Sequence, residues 1–356
     1  MEVKNLKIIS PLGERLIGLD QPVFVVAEVS ANHNQSVEQA KKIIDAAALA
    51  KVDAVKLQTY TPDTITIDSD QVYFKVKVND AWKGQTLYHL YQKTYTPWEW
   101  HRELQDYATK KGLLFFSTPF DDTAVDFLES LNVPLYKVAS FELVDVPLLK
   151  KIASTKKPVI ISRGMSSEAE IQLAIKTLKD YGCPAIALLH CVSSYPAKPE
   201  EMNLATIADL TKKFEVVAGL SDHSLDPYVP AIALGLGAKV IEKHLTLKRA
   251  DGGPDAAFSL EPQEFKDLVT TIRSLEKSIG RASYEVLNQE KENVIFRKSL
   301  FIVEDIKKGQ LLTKQNLRSI RPGHGLEPKY YEDVIGKEVL IDVERGTPLT
   351  WDLIKK

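Results

Sequence analysis

Eight short apolar runs, each followed by a longer segment of mixed polarity, occupy the chain from Val23 to about Gly280. The strand candidates are VFVVAE from Val23, DAVKLQ from Asp53, LLFFS from Leu113, PLYKVAS from Pro134, PVIIS from Pro158, AIALLH from Ala185, EVVAGLS from Glu215 and AKVIEKH from Ala238. The intervening segments have helical spacing; the first runs from Ser36, a favourable N-cap, to Lys51. Strands that alternate with helices form parallel sheets. Eight such units predict a closed (β/α)8 barrel, the TIM barrel.

The repeat ends near Gly280, and the rest of the chain has a different pattern. Residues 281–299 are mostly polar, and residues 300–356 contain short strand-like runs separated by turn residues. A length of 356 residues allows a barrel of roughly 250 residues and one further small domain. We predict a barrel domain over residues 1–280 with an N-terminal extension at 1–22, a linker at 281–299 and a small β-rich domain at 300–356.

The connection after the second predicted strand is unusually long. It spans residues 60–95 and is rich in aromatic side chains, namely Tyr60, Tyr73, Phe74, Trp82, Tyr88, Tyr91 and Tyr95. Long connections inside compact domains are usually functional, and the active sites of TIM barrels lie on the rim from which such connections emerge. We interpret this segment as a loop that forms a lid over a substrate.

The charge balance argues against several classes of partner. Lys and Arg number 46 and Asp and Glu number 48, which gives a net charge of -2 without a long block of either sign. Neither a nucleic acid nor an anionic membrane is therefore expected as a partner. The chain has two cysteines, Cys183 and Cys191, and its first residues lack the apolar core of a signal peptide. We predict a cytoplasmic protein.

Two histidines stand at the ends of the last two predicted strands. His223 follows the strand that begins at Glu215, and His244 ends the strand that begins at Ala238. In a parallel barrel the carboxyl ends of neighbouring strands meet at one rim. Two neutral imidazoles that converge there can bind a divalent metal. A lone histidine at a strand end is more often an ordinary polar residue, but the pair on neighbouring strands favours a metal site.

Polar residues at the ends of other strands predict an anion site and a proton-transfer group. Ammonium groups and hydroxyls bind phosphate oxygens, so the set suits a phosphorylated carboxylate. Alternatively, each lysine forms a structural ion pair with Glu28 or Glu142. Glu28 is the best candidate for moving a proton, because burial would raise its pKa. The predicted anion-binding residues are Lys56, Thr118, Lys137, Ser140 and Ser221.

Nine stretches of the chain, in order, resemble the sialic acid synthase family of phosphoenolpyruvate-dependent nonulosonate synthases. They are AEVSANHNQS from Ala27, DAVKLQTYTPDT from Asp53, WKGQTLYHLYQKTYTPWEWH from Trp82, FSTPFD from Phe116, YKVASFE from Tyr136, LHCVSSYP from Leu189, GLSDHS from Gly219, EKHLT from Glu242 and RPGHGLEPKYY from Arg321. The C-terminal segment resembles the antifreeze-like (SAF) domain that follows the barrel in this family. The resemblance covers nearly the whole chain.

The resemblance implies a condensation of phosphoenolpyruvate with the open-chain aldehyde of an N-acetylated sugar, which yields a 2-keto acid and phosphate. It implies Mn²⁺ or Mg²⁺ bound by His223 and His244, and catalytic roles for Glu28 and Glu142. The family's homodimer, in which the small domain of one subunit covers the barrel of its partner, is implied as well. By position, the phosphoenolpyruvate contacts would be Lys56, Gln58, Thr118, Lys137, Ser140, Ser193 and Ser221, and the sugar contacts Phe141, Tyr195, Asp255 and Arg321.

Phe141 and Ser193 indicate which acceptor sugar to expect. Sialate synthases tend to have Gly and Asn at these two positions, whereas this chain matches the pseudaminate branch of the family. A 6-deoxy sugar with a second acetamido group offers more apolar surface, which suits Phe141. We therefore expect 2,4-diacetamido-2,4,6-trideoxy-L-altrose as the acceptor, with legionaminate or N-acetylneuraminate synthesis as the alternative.

Two other classes of function use some of the same features. A metal-dependent sugar-phosphate aldolase could employ the histidine pair, the lysine pair and the barrel, but it would release no phosphate. A sugar-binding or ice-binding protein is suggested only by the C-terminal segment. That hypothesis leaves the two histidines, Glu28 and the two strand-end lysines without a role.

Overall fold

The computed structural model describes residues 3–76 and 84–355 of the chain. The chain divides into two compact units, Met1–Gly280 and Arg281–Lys356. Trp82, one of the aromatic residues of the predicted lid, lies outside the described residues. None of the helices within the described ranges combines the length and the apolar character needed to cross a membrane.

The first unit begins with an antiparallel hairpin that the sequence did not reveal. Strands β1 (Leu6–Ser10) and β2 (Gly13–Ile17) pair through a turn at Gly13, whose φ of +102° suits glycine. The sequence predicts only an N-terminal extension at residues 1–22, and both strands are just five residues long. The buried faces of both strands pack against apolar side chains from inside the barrel, so the hairpin closes one end of it.

The eight predicted barrel strands are confirmed. They form a closed parallel barrel in which each strand pairs with the next along the chain and the last pairs with the first. Closure brings His244 opposite Glu28, and Glu28 lies opposite Lys56 on the other side. The strands are β3 (Phe24–Glu28), β4 (Ala54–Thr59), β5 (Leu114–Pro119), β6 (Tyr136–Val138), β7 (Val159–Ser162), β8 (Ile186–Cys191), β9 (Val217–Asp222) and β10 (Val240–His244).

Helices follow the strands as the repeat predicts. The first, α1 (Val37–Ala50), starts where expected, because the Ser36 side chain accepts a hydrogen bond from the backbone N–H of Gln39. The other helices of the unit are α2 (Pro62–Ile65), α3 (Leu87–Thr94), α4 (Trp100–Lys110), α5 (Asp122–Ser130), α6 (Val146–Ser154), α7 (Glu168–Asp180), α8 (Thr206–Phe214), α9 (Tyr228–Gly235) and α10 (Pro262–Ile279).

The segment interpreted as a lid is not an irregular loop in its described part. Helices α2 and α3 both lie within it, and Tyr60 at its start is buried. The Tyr60 ring packs edge-on against Tyr91 and Phe120, and its hydroxyl bonds Thr94. Aromatic contacts and two short helices thus order the two ends of the predicted lid. Its movement over a substrate stays a prediction.

Alternation along the strands divides the barrel into two faces. Residues such as Val25, Val55 and Leu220 face outward and join the core beneath the helices. The residues between them face inward. At the amino ends of the strands these inward residues are apolar and pack with the hairpin, whereas at the carboxyl ends they are polar or charged. The strand pattern itself thus places the polar side chains at one rim.

The second unit is small and has its own core. Residues 281–298 are exposed and contain two short 3-10 turns. Strands β11 (Ser299–Ile302) and β12 (Leu317–Ile320) then pair antiparallel, and one short helix, α11 (Tyr331–Val334), follows. The core of the unit contains ten buried side chains, namely Leu300, Ile302, Ile306, Leu312, Leu317, Val334, Val339, Val343, Leu349 and Ile354.

Candidate active site at the carboxyl rim of the barrel

Two lysines and two glutamates form a buried charged layer inside the rim. Lys56 on β4 pairs with Glu28 at the end of β3, and Lys137 on β6 donates to Oε1 of Glu242 on β10 at 2.7 Å. The Nζ of Lys56 also lies 3.8 Å from the same glutamate oxygen. We name Glu28, Lys56, Lys137 and Glu242 the charged layer. Burial is the largest influence on the pKa of Lys56 and lowers it, so the ammonium gains from any further anion.

The sequence suggests Glu28 and Glu142 as ion-pair partners of the two lysines, and the structure agrees only for Glu28. Glu28 does pair with Lys56, but the partner of Lys137 is Glu242 rather than Glu142. The inward position of Glu242 on β10 follows from strand alternation, whereas Glu142 lies beyond the end of β6 in a 3-10 turn. Glu242 was missed as a site residue because only the closed barrel brings it opposite β6.

Hydroxyl groups surround the charged layer. Thr118 accepts from Lys56 at 3.2 Å, and Ser221 donates to Glu242 at 3.2 Å. Ser162, at the inward end of β7, is buried, and its hydroxyl has no hydrogen-bond partner among the residues that the structure describes. Ser162 is not among the predicted anion-binding residues, although its position at the end of the PVIIS run could have indicated it. These hydroxyls can donate to the oxygens of an anion.

Ser140, Ser193 and Cys191 form a second polar group beside the layer. The Ser140 hydroxyl lies 3.5 Å from the Cys191 sulfur, and the Ser193 hydroxyl lies 3.8 Å from it. Gly164 lies against both serines: a Cβ there would come within 2.4 Å of the Ser140 Cβ and 2.8 Å of the Ser193 hydroxyl. Only glycine allows this close approach, so the backbone after β7 borders the site directly.

The two histidines lie side by side, as the strand order predicts. The ring centroids of His223 and His244 are 5.4 Å apart, and both side chains are buried. Burial and the neighbouring positive charges hold the pKa of His244 well below its ordinary value, so this imidazole is neutral. Burial also works to lower the pKa of His223, but the Cys191 sulfur and the Val192 carbonyl outweigh it and raise that pKa.

The histidine pair fits a divalent metal. The Nδ1 atom of His223 lies 3.1 Å from the Val192 carbonyl, an arrangement that fixes the N–H on Nδ1 and leaves the Nε2 lone pair for a ligand. Nδ1 of His244 is buried without a hydrogen-bond partner in the described part of the chain. Within the described residues no set of three or more His, Cys, Asp or Glu side chains is arranged as a complete metal site. The pair therefore offers two protein ligands at most.

Aromatic side chains and Asp255 enclose the histidines. The rings of Tyr195 and Phe258 lie 4.5 Å and 6.0 Å from the His223 ring, centroid to centroid. Asp255 is buried, its Oδ2 lies 4.0 Å from Nδ1 of His244, and it accepts a hydrogen bond from the Ala31 N–H. Burial raises the pKa of Asp255, against the opposing effect of that hydrogen bond.

The remaining predicted residues have different surroundings. Gln58 is on the inward face of β4 and donates to the Ser30 hydroxyl at 2.9 Å. Burial raises the pKa of Glu142 to about 7, a value suited to proton transfer at neutral pH. Phe141, next to it, is 60% exposed. Arg321 belongs to the second unit, where it is exposed after β12.

Comparison with known proteins agrees with this site. The NeuB family model matches residues 43–284, and the SAF domain model matches residues 297–355. A pseudaminic acid synthase from Campylobacter jejuni is 41% identical over 330 residues, covering 93% of this chain and 96% of that protein. Another from Helicobacter pylori is 42% identical over 337 residues, covering 94% and 99%.

A solved structure shows the same architecture. The spore coat polysaccharide biosynthesis protein spsE from Bacillus subtilis has a TM-score of 0.67 and 34% identity to this chain, and the match covers 99% of each. Its similarity extends through both units, as do the sequence matches. With the barrel, the polar rim and these matches taken together, the chain belongs to the NeuB family and carries a C-terminal SAF domain.

Proposed function

We propose that this chain condenses phosphoenolpyruvate with 2,4-diacetamido-2,4,6-trideoxy-L-altrose and water to give pseudaminate and phosphate. The observation that carries the proposal is the charged layer, which holds two desolvated lysines beside a neutral histidine at the rim of a NeuB-family barrel. The similarity to proteins named pseudaminic acid synthase supports the choice of product.

Phosphoenolpyruvate would bind across the lysines and the surrounding hydroxyls. Lys56 and Lys137 are already charge-paired, so an incoming anion competes with Glu28 and Glu242 for them. The hydroxyls of Thr118, Ser162 and Ser221 lie at inward positions of β5, β7 and β9 and would donate to the phosphate and carboxylate oxygens, with Ser140 and Ser193 at the edge. Gln58 would contact the carboxylate end from β4.

The reaction forms one carbon–carbon bond, and the two protons of the water end on the aldehyde oxygen and on the phosphate. C3 of the enol attacks the aldehyde carbon of the sugar, and the aldehyde oxygen takes up a proton. Water then adds to C2 and loses its first proton. The C2–O bond to phosphate breaks as the C2 hydroxyl gives up its second proton to the departing phosphate, which leaves the 2-keto acid. Glu28 and Glu142 are the proposed acid/base groups; the pKa of about 7 at Glu142 lets it accept or donate a proton near neutrality.

His223 and His244 would hold a divalent Mn²⁺ or Mg²⁺ ion. Such an ion polarises a carbonyl oxygen and adds positive charge beside the charged layer, whose own charges balance. Asp255 and the rings of Tyr195 and Phe258 border the histidines and would orient the sugar. Phe141 is placed on the exposed edge, where an apolar 6-deoxy group can cover it.

Phosphate release with a panel of acceptors tests the proposal. The enzyme should release phosphate from phosphoenolpyruvate only with an amino sugar, and turnover of the diacetamido-trideoxy sugar should exceed that of N-acetylmannosamine by at least about 100-fold. Equal turnover of both sugars would favour the N-acetylneuraminate alternative. Cleavage of a sugar phosphate without phosphate release would favour an aldolase instead.

The metal is tested with the same assay. A chelator should abolish phosphate release, and Mn²⁺ or Mg²⁺ should restore it in the parent but poorly in His223→Ala or His244→Ala. Calorimetric titration with Mn²⁺ gives a readout that needs no turnover, and both variants should bind the ion at least about 10-fold more weakly. Full activity of either variant in metal-free buffer would contradict the assignment.

We also propose a cytoplasmic homodimer in which Arg321 of one subunit contacts the sugar in the site of its partner. Support comes from the family assignment and from the two unpaired cysteines, which suit a reducing compartment. Co-expression of Arg321→Ala with His244→Ala places both lesions in one site of a mixed dimer and restores about a quarter of all sites, if pairing is random. Confirmed mixed dimers without any gain in activity would reject the exchange.

A further inference from the structure

Ser30 has a backbone conformation that serine rarely adopts. It follows Val29 in the turn after β3, is buried, and has a φ of +44° in the left-handed region. Residues other than glycine enter this region at a cost of about 1 kcal/mol or more, and they stay there only when their surroundings hold them. The backbone of Ser30 is therefore strained at the edge of the candidate site, and its contacts there must hold it in this conformation.

The strained turn presents two successive backbone N–H groups to two carboxylates. The N–H of Ser30 donates to Oε1 of Glu28 at 2.8 Å, and the N–H of Ala31 donates to Oδ2 of Asp255 at 3.2 Å. Val29 is right-handed, with φ -78° and ψ -42°, and Ser30 is left-handed. This succession turns neighbouring N–H groups to the same side and forms a concavity that binds anionic groups.

The Ser30 hydroxyl adds a link that the backbone alone does not give. It accepts a hydrogen bond from Nε2 of Gln58 at 2.9 Å, and it works to lower the pKa of the Asp255 carboxyl against the larger, opposite effect of burial. The N–H of Ala31, the next residue of the turn, donates to the Asp255 carboxylate. The contacts therefore run from Gln58 to the Ser30 hydroxyl and through the adjoining backbone N–H to Asp255.

We propose that Ser30 is a positioning residue that couples the phosphoenolpyruvate side of the site, at Gln58, to the sugar side, at Asp255, with Glu28 fixed between them. This inference rests on the proposed function and deepens it. Glycine would fit the left-handed backbone without strain, but it would leave the Gln58 amide without its acceptor. The hydroxyl is thus the reason for a side chain at this position.

Two variants separate the effect of the Ser30 hydroxyl from the effect of the backbone strain. Ser30→Gly removes the hydroxyl and relieves the left-handed conformation, whereas Ser30→Ala removes the hydroxyl and keeps a Cβ. We expect Ser30→Gly to melt at or above the parental temperature and Ser30→Ala to melt below Ser30→Gly. Both variants should nevertheless lose kcat/KM by about 10-fold, the effect of one hydrogen bond in a buried network.

This pattern distinguishes positioning from a structural role. If Ser30 served only the fold, activity would follow stability, and Ser30→Gly would be as active as the parent. Parental kcat and parental KM values for both substrates in Ser30→Gly would therefore overturn the proposal. A rise in both KM values together with a fall in kcat is the expected result, because the hydroxyl holds Gln58 and the turn that contains Ser30 holds Glu28 and Asp255.

A double-mutant cycle tests the link through Gln58. In a Gln58→Ala background, the further change Ser30→Gly should cost about 3-fold or less, because the amide that the hydroxyl orients is gone. Two losses that simply multiply would contradict the coupling.

A direct measurement of phosphoenolpyruvate binding tests the role of Ser30 independently of the proposed reaction. By calorimetry, Ser30→Gly should bind phosphoenolpyruvate at least about 3-fold more weakly than the parent. A parent that binds phosphoenolpyruvate but releases no phosphate with any amino sugar would reject the proposed reaction alone. A parental Kd in Ser30→Gly would reject the role of Ser30 alone.

Discussion

At the amino end of the barrel, the inward side chains are apolar and are covered by the hairpin residues Leu6, Ile8 and Ile17. At the carboxyl end, the same strands turn lysines, glutamates and histidines inward. Most of the inward side chains at both ends are buried, yet only the apolar end gains free energy from that burial, since desolvation of charges opposes it. The contrast indicates that the hairpin end supplies stability and the charged end supplies chemistry.

The largest expected effect comes from neutralising an ion pair of the charged layer. The double change Lys137→Met with Glu242→Leu replaces a buried pair by apolar side chains of similar size, which is often neutral or stabilising. If Lys137 binds phosphoenolpyruvate as proposed, the double change should lower kcat/KM by about 1,000-fold or more, while the free energy of unfolding stays within about 1 kcal/mol of the parent or rises.

The exposed pair of Lys176 and Asp180 on α7 provides the matched control. The same pair of replacements there should change neither activity nor stability appreciably, since surface ion pairs contribute little. Phosphate release and denaturant unfolding measure the two quantities. If the Lys137 and Glu242 double variant is strongly destabilised but keeps its activity, the charged end contributes stability rather than chemistry, contrary to the comparison above.

The hairpin end should respond in the opposite way. Ile8→Ala removes a fully buried side chain from the hairpin and should lower the free energy of unfolding by about 2–4 kcal/mol. Because the cavity lies at the far end of the barrel, kcat should remain parental. Ile9, the next residue of β1, is 70% exposed, so Ile9→Ala is the control and should leave stability nearly unchanged. A large fall in kcat at temperatures where Ile8→Ala is folded would show that the two ends are not separate.

The sequence predicted the charged end in outline because strand patterns are local. Ser221, His223 and His244 stand at the ends of apolar runs, and parallel strands bring such ends to one rim. Lys56 and Lys137 lie within their runs, at inward positions. The pairing of residues across the barrel is not local. Lys137 and Glu242 are 105 residues apart, so their contact depends on closure of the sheet, which no short window of sequence reveals.

The features that were missed share this dependence on distant partners. Strands β1 and β2 are short, and their burial arises only because the barrel supplies a floor to cover. The turn at Ser30 lies inside one of the stretches that resemble the family, but the residues it contacts, Glu28 and Gln58 through Ser30 and Asp255 through Ala31, come from three different parts of the barrel. Helices α2 and α3 were hidden because aromatic residues spread along a long connection do not show helical periodicity by themselves.

The smallest expected effect concerns Glu142, a rim carboxyl whose Oε2 has no hydrogen-bond partner in the described ranges. Burial raises its pKa from 4.5 to about 7. The folded state therefore holds this proton more tightly than the unfolded state, so the stabilisation is complete below pH 4.5 and is lost as the pH rises to about 7. Partial exposure tempers the effect to about 1–2 kcal/mol.

Glu142→Gln should remove this dependence, because glutamine does not ionise. Denaturant unfolding at intervals between pH 5 and 8 should show the variant gaining stability relative to the parent as the pH rises, with no further change above about pH 7.5. The pH profile of kcat should lose its inflection near pH 7 if Glu142 moves a proton. If the stability of parent and variant changes with pH in parallel, the Glu142 carboxyl is hydrated. A charge at this edge of the rim would then avoid the desolvation that opposes burial of the charged layer.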